Sequence, residues 1–140
     1  MNAHYKSVIY MADDDADDRH FIRKAFQAVD PSVTIVEAED GGDLLTMLTE
    51  KPVPMLVHLI LLDMNMPKLN GMETLLALKA DPALRHIPAV MMSTSAEPNL
   101  VMEAYENGIS GYIKKPSSFH ELGQIAQALK VCFLNAAGGA

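Results

Sequence analysis

Short apolar runs alternate with longer segments of helical periodicity along this chain. Five runs are rich in Val, Ile, Leu or Met and are bounded by Pro, Gly or Asp, a composition that predicts strands. They cover residues 8–12, 33–38, 55–62, 88–92 and 111–116. A segment with apolar residues three and four positions apart follows each run, which predicts five helices. This alternation predicts one doubly wound α/β domain with a five-stranded parallel sheet over residues 7–134.

The third run is apolar on both faces and ends directly at Asp63. Such a run is typical of a strand in the interior of a parallel sheet, covered by helices on both sides. Ligands of open α/β sheets bind beyond the carboxyl ends of the strands, so a carboxylate at this position faces the binding crevice. Asp63 is therefore the first candidate for chemistry, although the same residue could simply cap a turn.

Polar side chains also stand at the ends of three other predicted strands. Asp13 and Asp14 follow the first strand, Ser93 follows the fourth, and Lys115 lies at the end of the fifth. Carboxylates are ligands for a hard divalent cation such as Mg²⁺, while a lysine and a hydroxyl bind phosphoryl oxygens. The combination predicts metal-dependent phosphoryl transfer onto Asp63.

The acidic run after the first strand continues beyond Asp14. Helix initiation is enough to explain Asp15, Asp17 and Asp18. Carboxylates at a helix N-terminus accept backbone N–H groups and interact favourably with the positive end of the helix dipole. It does not explain the adjacent acids Asp13 and Asp14, whose mutual repulsion a bound cation would relieve.

Composition and charge exclude several classes of partner. The 140 residues fit one domain, and 11 basic against 18 acidic residues give a net charge of −7. This charge repels nucleic-acid phosphates and anionic membrane surfaces, so neither is an expected partner. No run of about 18 apolar residues occurs, and we expect a cytoplasmic protein. Residues 1–6 and 135–140 are expected to be flexible termini with no output domain, and Cys132 to be a buried, inert thiol.

The motifs at the strand ends together resemble those of the response-regulator receiver domain, the phosphoacceptor module of two-component signalling. Four stretches carry the resemblance, in the order that the family has them: Asp13-Asp14, residues 61–71 (LLDMNMPKLNG), Ser93-Thr94, and residues 111–116 (GYIKKP). The resemblance covers the whole chain and implies the (βα)5 flavodoxin-like receiver fold.

The resemblance implies a chemical role for each of these residues. Asp63 corresponds to the phosphorylated aspartate. Lys115 corresponds to the lysine of the family, whose bond to the following proline is usually cis. Mg²⁺, with Mn²⁺ as an alternative ion, would be coordinated directly by Asp14 and Asp63. Asn65 would contribute its backbone carbonyl, and Asp13 would act mainly through water.

Signalling roles follow from the same resemblance. Ser93 corresponds to the switch hydroxyl, where the family more often has Thr, and Tyr112 to the aromatic residue that turns inward with it. Asn65 and Ser95, two positions beyond the acceptor and the switch, correspond to positions that tune the lifetime of the acyl phosphate. The phosphoryl donor would be a sensor histidine kinase or a histidine phosphotransfer protein. The signal would leave through the face formed by the fourth helix, fifth strand and fifth helix.

The resemblance also bounds the reaction and the assembly. A receiver catalyses only its own phosphorylation and dephosphorylation, so we do not expect an enzyme with a separate substrate. Homodimers through the signalling face are common in the family, and a homodimer is one expectation here. The sequence leaves open the cognate kinase and the downstream target. It also leaves open whether the protein is a diffusible messenger, a phosphorelay shuttle or a partner of a phytochrome-type kinase.

Three other interpretations share parts of this pattern. A phosphatase of the haloacid-dehalogenase type also uses a strand-end aspartate with Mg²⁺ and a lysine. It needs a second carboxylate two residues after the first, where this chain has Asn65. A flavodoxin-like module shares the sheet but needs a phosphate-binding loop after the first strand, where this chain has acids. A phosphorylation-independent docking module would keep the fold without needing the complete acidic, hydroxyl and lysine set.

Overall fold

The structure, a computed structural model, describes residues 7–50 and 56–134. The flexible termini expected at residues 1–6 and 135–140 lie outside the described residues, as does the first residue of the predicted strand 55–62.

Strands and helices alternate along the described chain in the predicted order. The strands are β1 (Val8–Ala12), β2 (Thr34–Ala38), β3 (Leu59–Asp63), β4 (Ala89–Ser93) and β5 (Gly111–Lys114). The helices are α1 (Ala16–Val29), α2 (Gly41–Thr49), α3 (Gly71–Ala80), α4 (Pro98–Glu106) and α5 (Phe119–Leu129). A short π-helical segment, Lys130–Leu134, continues α5.

Polar residues mark the starts of four of these helices. The side chains of Asp15, Asp40, Asn70 and Ser118 each accept a hydrogen bond from a backbone N–H in the first turn of α1, α2, α3 and α5. Such caps satisfy donors that the helix itself leaves unpaired. Helix α4 differs, because Glu97 at its start makes no side-chain cap.

The sheet is parallel throughout, with the strand order β2-β1-β3-β4-β5. The three interior strands β1, β3 and β4 are buried along their whole length, as the continuous apolar runs predict. Ala12 pairs with Leu62, Asp63 with Met92, and Ser93 with Lys114. The carboxyl ends of β1, β3, β4 and β5 therefore meet at one edge of the sheet.

Alternate residues of the interior strands serve two separate apolar layers. Ile9, Met11 and Leu61 face the side covered by α1 and α5, where Phe26 is fully buried. Tyr10, Ile60 and Leu62 are among the residues that face the opposite side with α2 and α3. Helices on both faces confirm the doubly wound α/β fold class. Within the described ranges, no helix has the length and apolar character needed to cross a membrane.

The predictions for Leu56 and Cys132 are wrong. Strand β3 begins at Leu59, and Leu56, which was assigned to this strand, is 58% exposed before it. Cys132 is exposed rather than buried. At α-helical spacing Cys132 would share a face with Leu129. The chain is π-helical from Lys130 to Leu134, however, and its wider turn instead buries Leu134, five residues beyond Leu129.

Gly71 marks a contact between α3 and β3 that has no room for a side chain. A Cβ atom there would lie 2.5 Å from the carbonyl oxygen of Asp63 and 2.7 Å from the Sδ atom of Met91. In contrast, a Cβ at Gly123 in the middle of α5 would meet nothing within 4 Å.

We expect Gly71→Ala to lower the free energy of unfolding by about 1–3 kcal/mol, because the methyl group overpacks the contact with β3. Gly123→Ala should raise it by about 0.5–1 kcal/mol, because alanine loses less conformational entropy in a helix. Urea unfolding of the two variants measures both changes. Wild-type stability of the Gly71→Ala protein would contradict the close approach.

Candidate functional site

Three carboxylates named from the sequence meet at the carboxyl edge of the sheet. Asp13, Asp14 and Asp63 each offer an oxygen atom, and these atoms lie within 4.8 Å of one another. The register that pairs Ala12 with Leu62 explains this, since the next residue of each strand then lies side by side. Asp13 and Asp63 are buried and Asp14 is exposed. The structure thus brings the acids together, while their role as metal ligands stays a prediction.

Lys115 reaches into this cluster from the end of β5. Its Nζ atom lies 2.9 Å from Asp13 Oδ2 and 3.5 Å from Asp63 Oδ1. The lysine side chain is 13% exposed, whereas the neighbouring Lys114 is exposed to solvent, as expected for the opposite strand face. The Lys115–Pro116 peptide bond is trans, so the expectation of a cis bond is wrong for this structure.

Asp18 is a member of the cluster that the sequence analysis missed. Its Oδ2 atom lies 2.7 Å from Lys115 Nζ. The backbone N–H groups of Asp17 and Asp18 donate to Asp15 Oδ1, as helix initiation predicts, but the carboxylate of Asp18 has this second role. Helix geometry is the feature that predicts this second role. Side chains of a helix lean toward its N-terminus, and the N-terminus of α1 lies next to the strand ends.

The electrostatics of the cluster are dominated by burial. Burial and, after it, the charge of Asp13 together raise the pKa of Asp63 to about 6, against the opposing effects of Lys115 and the Asn65 N–H. Burial also raises the pKa of Asp13, against the opposing N–H group of Asp15 and the ammonium of Lys115. Burial alone would lower the pKa of Lys115, but its hydrogen bonds to Asp18 and Asp13 outweigh that effect and raise it. Negative charge therefore exceeds positive charge at this edge.

The donor set fits a hard divalent cation. All three grouped ligand atoms are carboxylate oxygens, which such cations prefer, and the exposure of Asp14 leaves space for the water ligands that Mg²⁺ retains. A cation would also offset the repulsion that raises the pKa of Asp63. Asn65 lies at the rim of this site: its side chain is exposed and its backbone N–H donates to Asp63 Oδ1 at 3.4 Å.

The predicted switch residues form a continuous chain of contacts on the β4 side of the site. Ser93 is fully buried at the end of β4, and its Oγ atom accepts a hydrogen bond from the Ser95 N–H at 3.1 Å. The Ser95 carbonyl oxygen in turn accepts from the Tyr112 hydroxyl at 2.7 Å. The Lys115 N–H donates to the Ser93 carbonyl oxygen at 2.7 Å. The end of β4 is therefore connected through hydrogen bonds to Tyr112 and Lys115.

An arginine missed by the sequence analysis braces the acidic loop. Arg19 Nη1 donates to the Asp13 carbonyl oxygen at 2.6 Å, and its Nε lies 3.3 Å from Glu37 Oε1 on β2. Arg23 also pairs with Glu37. Glu37 thus ties α1 to the edge strand β2, and Arg19, which pairs with it, holds the backbone of Asp13 in place.

Comparison with known proteins decides the family. The family model for the response regulator receiver domain matches residues 9–127, which is most of the chain. The chain belongs to the response-regulator receiver family.

Individual relatives agree with this assignment. Chemotaxis protein CheY of Pseudomonas aeruginosa is 38% identical over 80 residues, which are 57% of this chain and 61% of CheY. Response regulator Rcp1 of Synechocystis sp. is 27% identical over 133 residues, 91% of this chain and 88% of Rcp1. The first relative is a chemotaxis protein and the second a response regulator.

Solved structures match the receiver over nearly its whole length. The phosphorylated cyanobacterial phytochrome response regulator RcpA has a TM-score of 0.85 at 28% identity, covering 93% of this chain and 95% of RcpA. The Mn²⁺-bound form of response regulator Rcp1 has a TM-score of 0.78 at 26% identity, covering 89% of this chain and 91% of Rcp1. The receiver assignment disfavours the phosphatase and flavodoxin-like interpretations of the strand-end acids.

Proposed function

We propose that this receiver accepts a phosphoryl group on Asp63, in a Mg²⁺-dependent reaction, from the phosphohistidine of a sensor histidine kinase or a histidine phosphotransfer protein. The observation that carries the proposal is the buried contact of Lys115 Nζ with Asp13 and Asp63, beside three grouped carboxylates. A docking module would not need this arrangement. We also propose that the protein acts in the cytoplasm, which its relation to the signalling proteins CheY and Rcp1 supports.

The transfer is a single displacement at phosphorus. An Asp63 carboxylate oxygen forms a bond to phosphorus while the P–N bond of the donor breaks and its electron pair returns to the histidine ring. A carboxylate is a weak nucleophile, so positioning and charge stabilisation carry the catalysis. Lys115 balances charge on the phosphoryl oxygens from within 3.5 Å of Asp63 Oδ1. When bound, Mg²⁺ supplies the remaining charge neutralisation.

Each acid has a distinct part in holding the ion. Asp14 and Asp63 are the proposed direct ligands, together with the backbone carbonyl of Asn65. Asp13 is proposed to act mainly through water. Its carboxylate supports this, because it already accepts from the Asp15 N–H at 2.9 Å and from Lys115 at 2.9 Å.

The proposed output begins at Ser93. A phosphoryl group adds a charge of about −1.5 to −2, which favours rotation of the Ser93 hydroxyl toward it and away from the Ser95 N–H. That rotation alters the contact between Ser95 and Tyr112, and with it the face of α4, β5 and α5. The exposed Met102 and Lys114 belong to this face, which is where we place the downstream target or a second copy of the chain.

Helix α4 is suited to this response. It starts without a side-chain cap, and Ala104 is its buried residue, so few contacts oppose a shift of the helix.

Asn65 and Ser95 are the proposed positions that tune the acyl-phosphate lifetime, since they lie two residues beyond Asp63 and Ser93. The likeness to RcpA, a phytochrome response regulator, favours a phytochrome-type kinase as the donor.

We expect acetyl phosphate with Mg²⁺ to add one phosphoryl mass to the wild-type protein, because Asp63 can take the group from a small donor. Asp63→Asn should abolish the gain. Asp17→Asn, which removes an exposed acid from the same edge, should keep it. Intact mass spectrometry measures the result, and an equal gain in the Asp63→Asn protein would refute the acceptor assignment.

Asp14→Ala should weaken Mg²⁺ binding by at least about tenfold, because it removes a direct ligand. Asp17→Ala provides the matched control, since Asp17 carries the same charge but lies outside the grouped ligand atoms. Isothermal titration calorimetry measures both affinities. Equal losses in the two variants would show that net charge rather than coordination governs binding.

Tyr112→Phe should leave phosphoryl uptake unchanged but reduce the response of α4, because it removes the hydrogen bond to the Ser95 carbonyl. Amide hydrogen exchange of residues 94–106, with and without acetyl phosphate, reports that response. Tyr105→Phe, a hydroxyl deletion on a half-exposed side chain of α4, should behave as wild type. An undiminished response in Tyr112→Phe would remove this residue from the output route.

A further inference from the structure

Lys115 is held most closely by a carboxylate that has no part in the proposed phosphoryl transfer. Its Nζ atom lies 2.7 Å from Asp18 Oδ2 and 2.9 Å from Asp13 Oδ2. The distance to Asp63 Oδ1 is 3.5 Å, which is long for a hydrogen bond. Two of the three N–H groups of the ammonium therefore point at acids other than the acceptor.

Asp18 is placed so that this contact can change. Its side chain is 38% exposed, whereas those of Asp13 and Asp63 are 3% and 7% exposed. Breaking the contact with Lys115 returns the Asp18 carboxylate to water, so the free energy needed to break it is small. The Asp13 contact is buried and cannot be released in this way.

The Asp18 charge acts on the site in two opposite directions. In the unmodified protein it neutralises Lys115, which leaves the carboxylate of Asp63 available to attract a cation. In the phosphorylated protein it competes with the phosphoryl oxygens for Lys115 and repels their charge. Both effects follow from the short contact between Asp18 and Lys115.

We propose that Asp18 is a positioning residue that holds Lys115 in a resting position, and that it strengthens metal binding while weakening retention of the phosphoryl group on Asp63. The proposal rests on the function proposed above and deepens it. In this role Asp18 sets the balance between the resting and the phosphorylated receiver.

The test uses the full chain with Asp18→Asn, which keeps the shape of the side chain, and Asp17→Asn as the matched control. Asp17 is also in the first turn of α1, and its N–H also donates to Asp15 Oδ1, but its exposed carboxylate belongs to none of the ion pairs with Lys115. Mg²⁺ alone is titrated first. Beryllofluoride, a small anionic mimic of the phosphoryl group, is then titrated at saturating Mg²⁺.

We expect Asp18→Asn to weaken Mg²⁺ binding and to tighten beryllofluoride binding, each by about threefold to tenfold. Asp17→Asn should change either affinity by less than about twofold, since an exposed charge is screened. Asp18→Glu, which retains the charge, should restore values close to wild type. A crystal structure of Asp18→Asn should show Lys115 Nζ within hydrogen-bond distance of Asp63.

Several outcomes would overturn the proposal. These are unchanged affinities, a shift of both affinities in the same direction, an equal effect of Asp17→Asn, or a lysine that stays 3.5 Å from Asp63 in the variant. Failure of the proposed function looks different. If wild type binds neither acetyl-phosphate-derived phosphoryl nor beryllofluoride, phosphoacceptance is refuted, while the Mg²⁺ titration and the lysine position still decide the role of Asp18.

Discussion

The ion pairs of Lys115 are the interaction on which the site depends. Two buried carboxylates, from the ends of β1 and β3, lie close enough to coordinate the same metal ion, and this closeness is unfavourable for like charges that are largely removed from water. One ammonium from the end of β5 offsets part of that repulsion. The offset is incomplete, because burial and mutual repulsion still raise the pKa of Asp63 to about 6. The site therefore carries an excess of negative charge that a divalent cation can neutralise.

Backbone packing holds these charges in place. The parallel register delivers Asp13 beside Asp63, and Arg19 fixes the carbonyl of Asp13 from one side. On the other side, the Gly71 N–H donates to the Met64 carbonyl oxygen, and Gly71 itself abuts the backbone of Asp63. The loop after β3 is thus clamped between the sheet and the start of α3. Such support from rigid elements is what keeps unfavourable charges at a fixed separation.

Physical rules explain which features were accessible from the sequence. The common location of Asp13, Asp63, Ser93 and Lys115 is predictable because parallel strands bring their carboxyl ends to one edge, whatever the strand order, while the chemical roles of these residues stay predictions. The strand order itself and the partner of Asp18 depend on tertiary packing, and no local pattern encodes them. Cys132 was misplaced because α-helical spacing was extended into a π-helical segment. The apolar residues just before β3 predict strand although Leu56 lies exposed, since composition alone does not distinguish a strand from the segment that leads into it.

The proposed route from the site to the surface runs through hydrogen bonds that are individually modest. The link from Ser93 through Ser95 to Tyr112 comprises two such bonds, each of about 1 kcal/mol in net terms. The proposed phosphorylation would place a charge of about −2 beside Lys115, and its electrostatic effect exceeds the energy of these two bonds. Coupling between sites is reciprocal, so under the proposed mechanism a partner that binds the α4 face and fixes Tyr112 would also change the affinity of the site for the phosphoryl group. An uncapped α4 with a single buried residue keeps the energy needed for this exchange small.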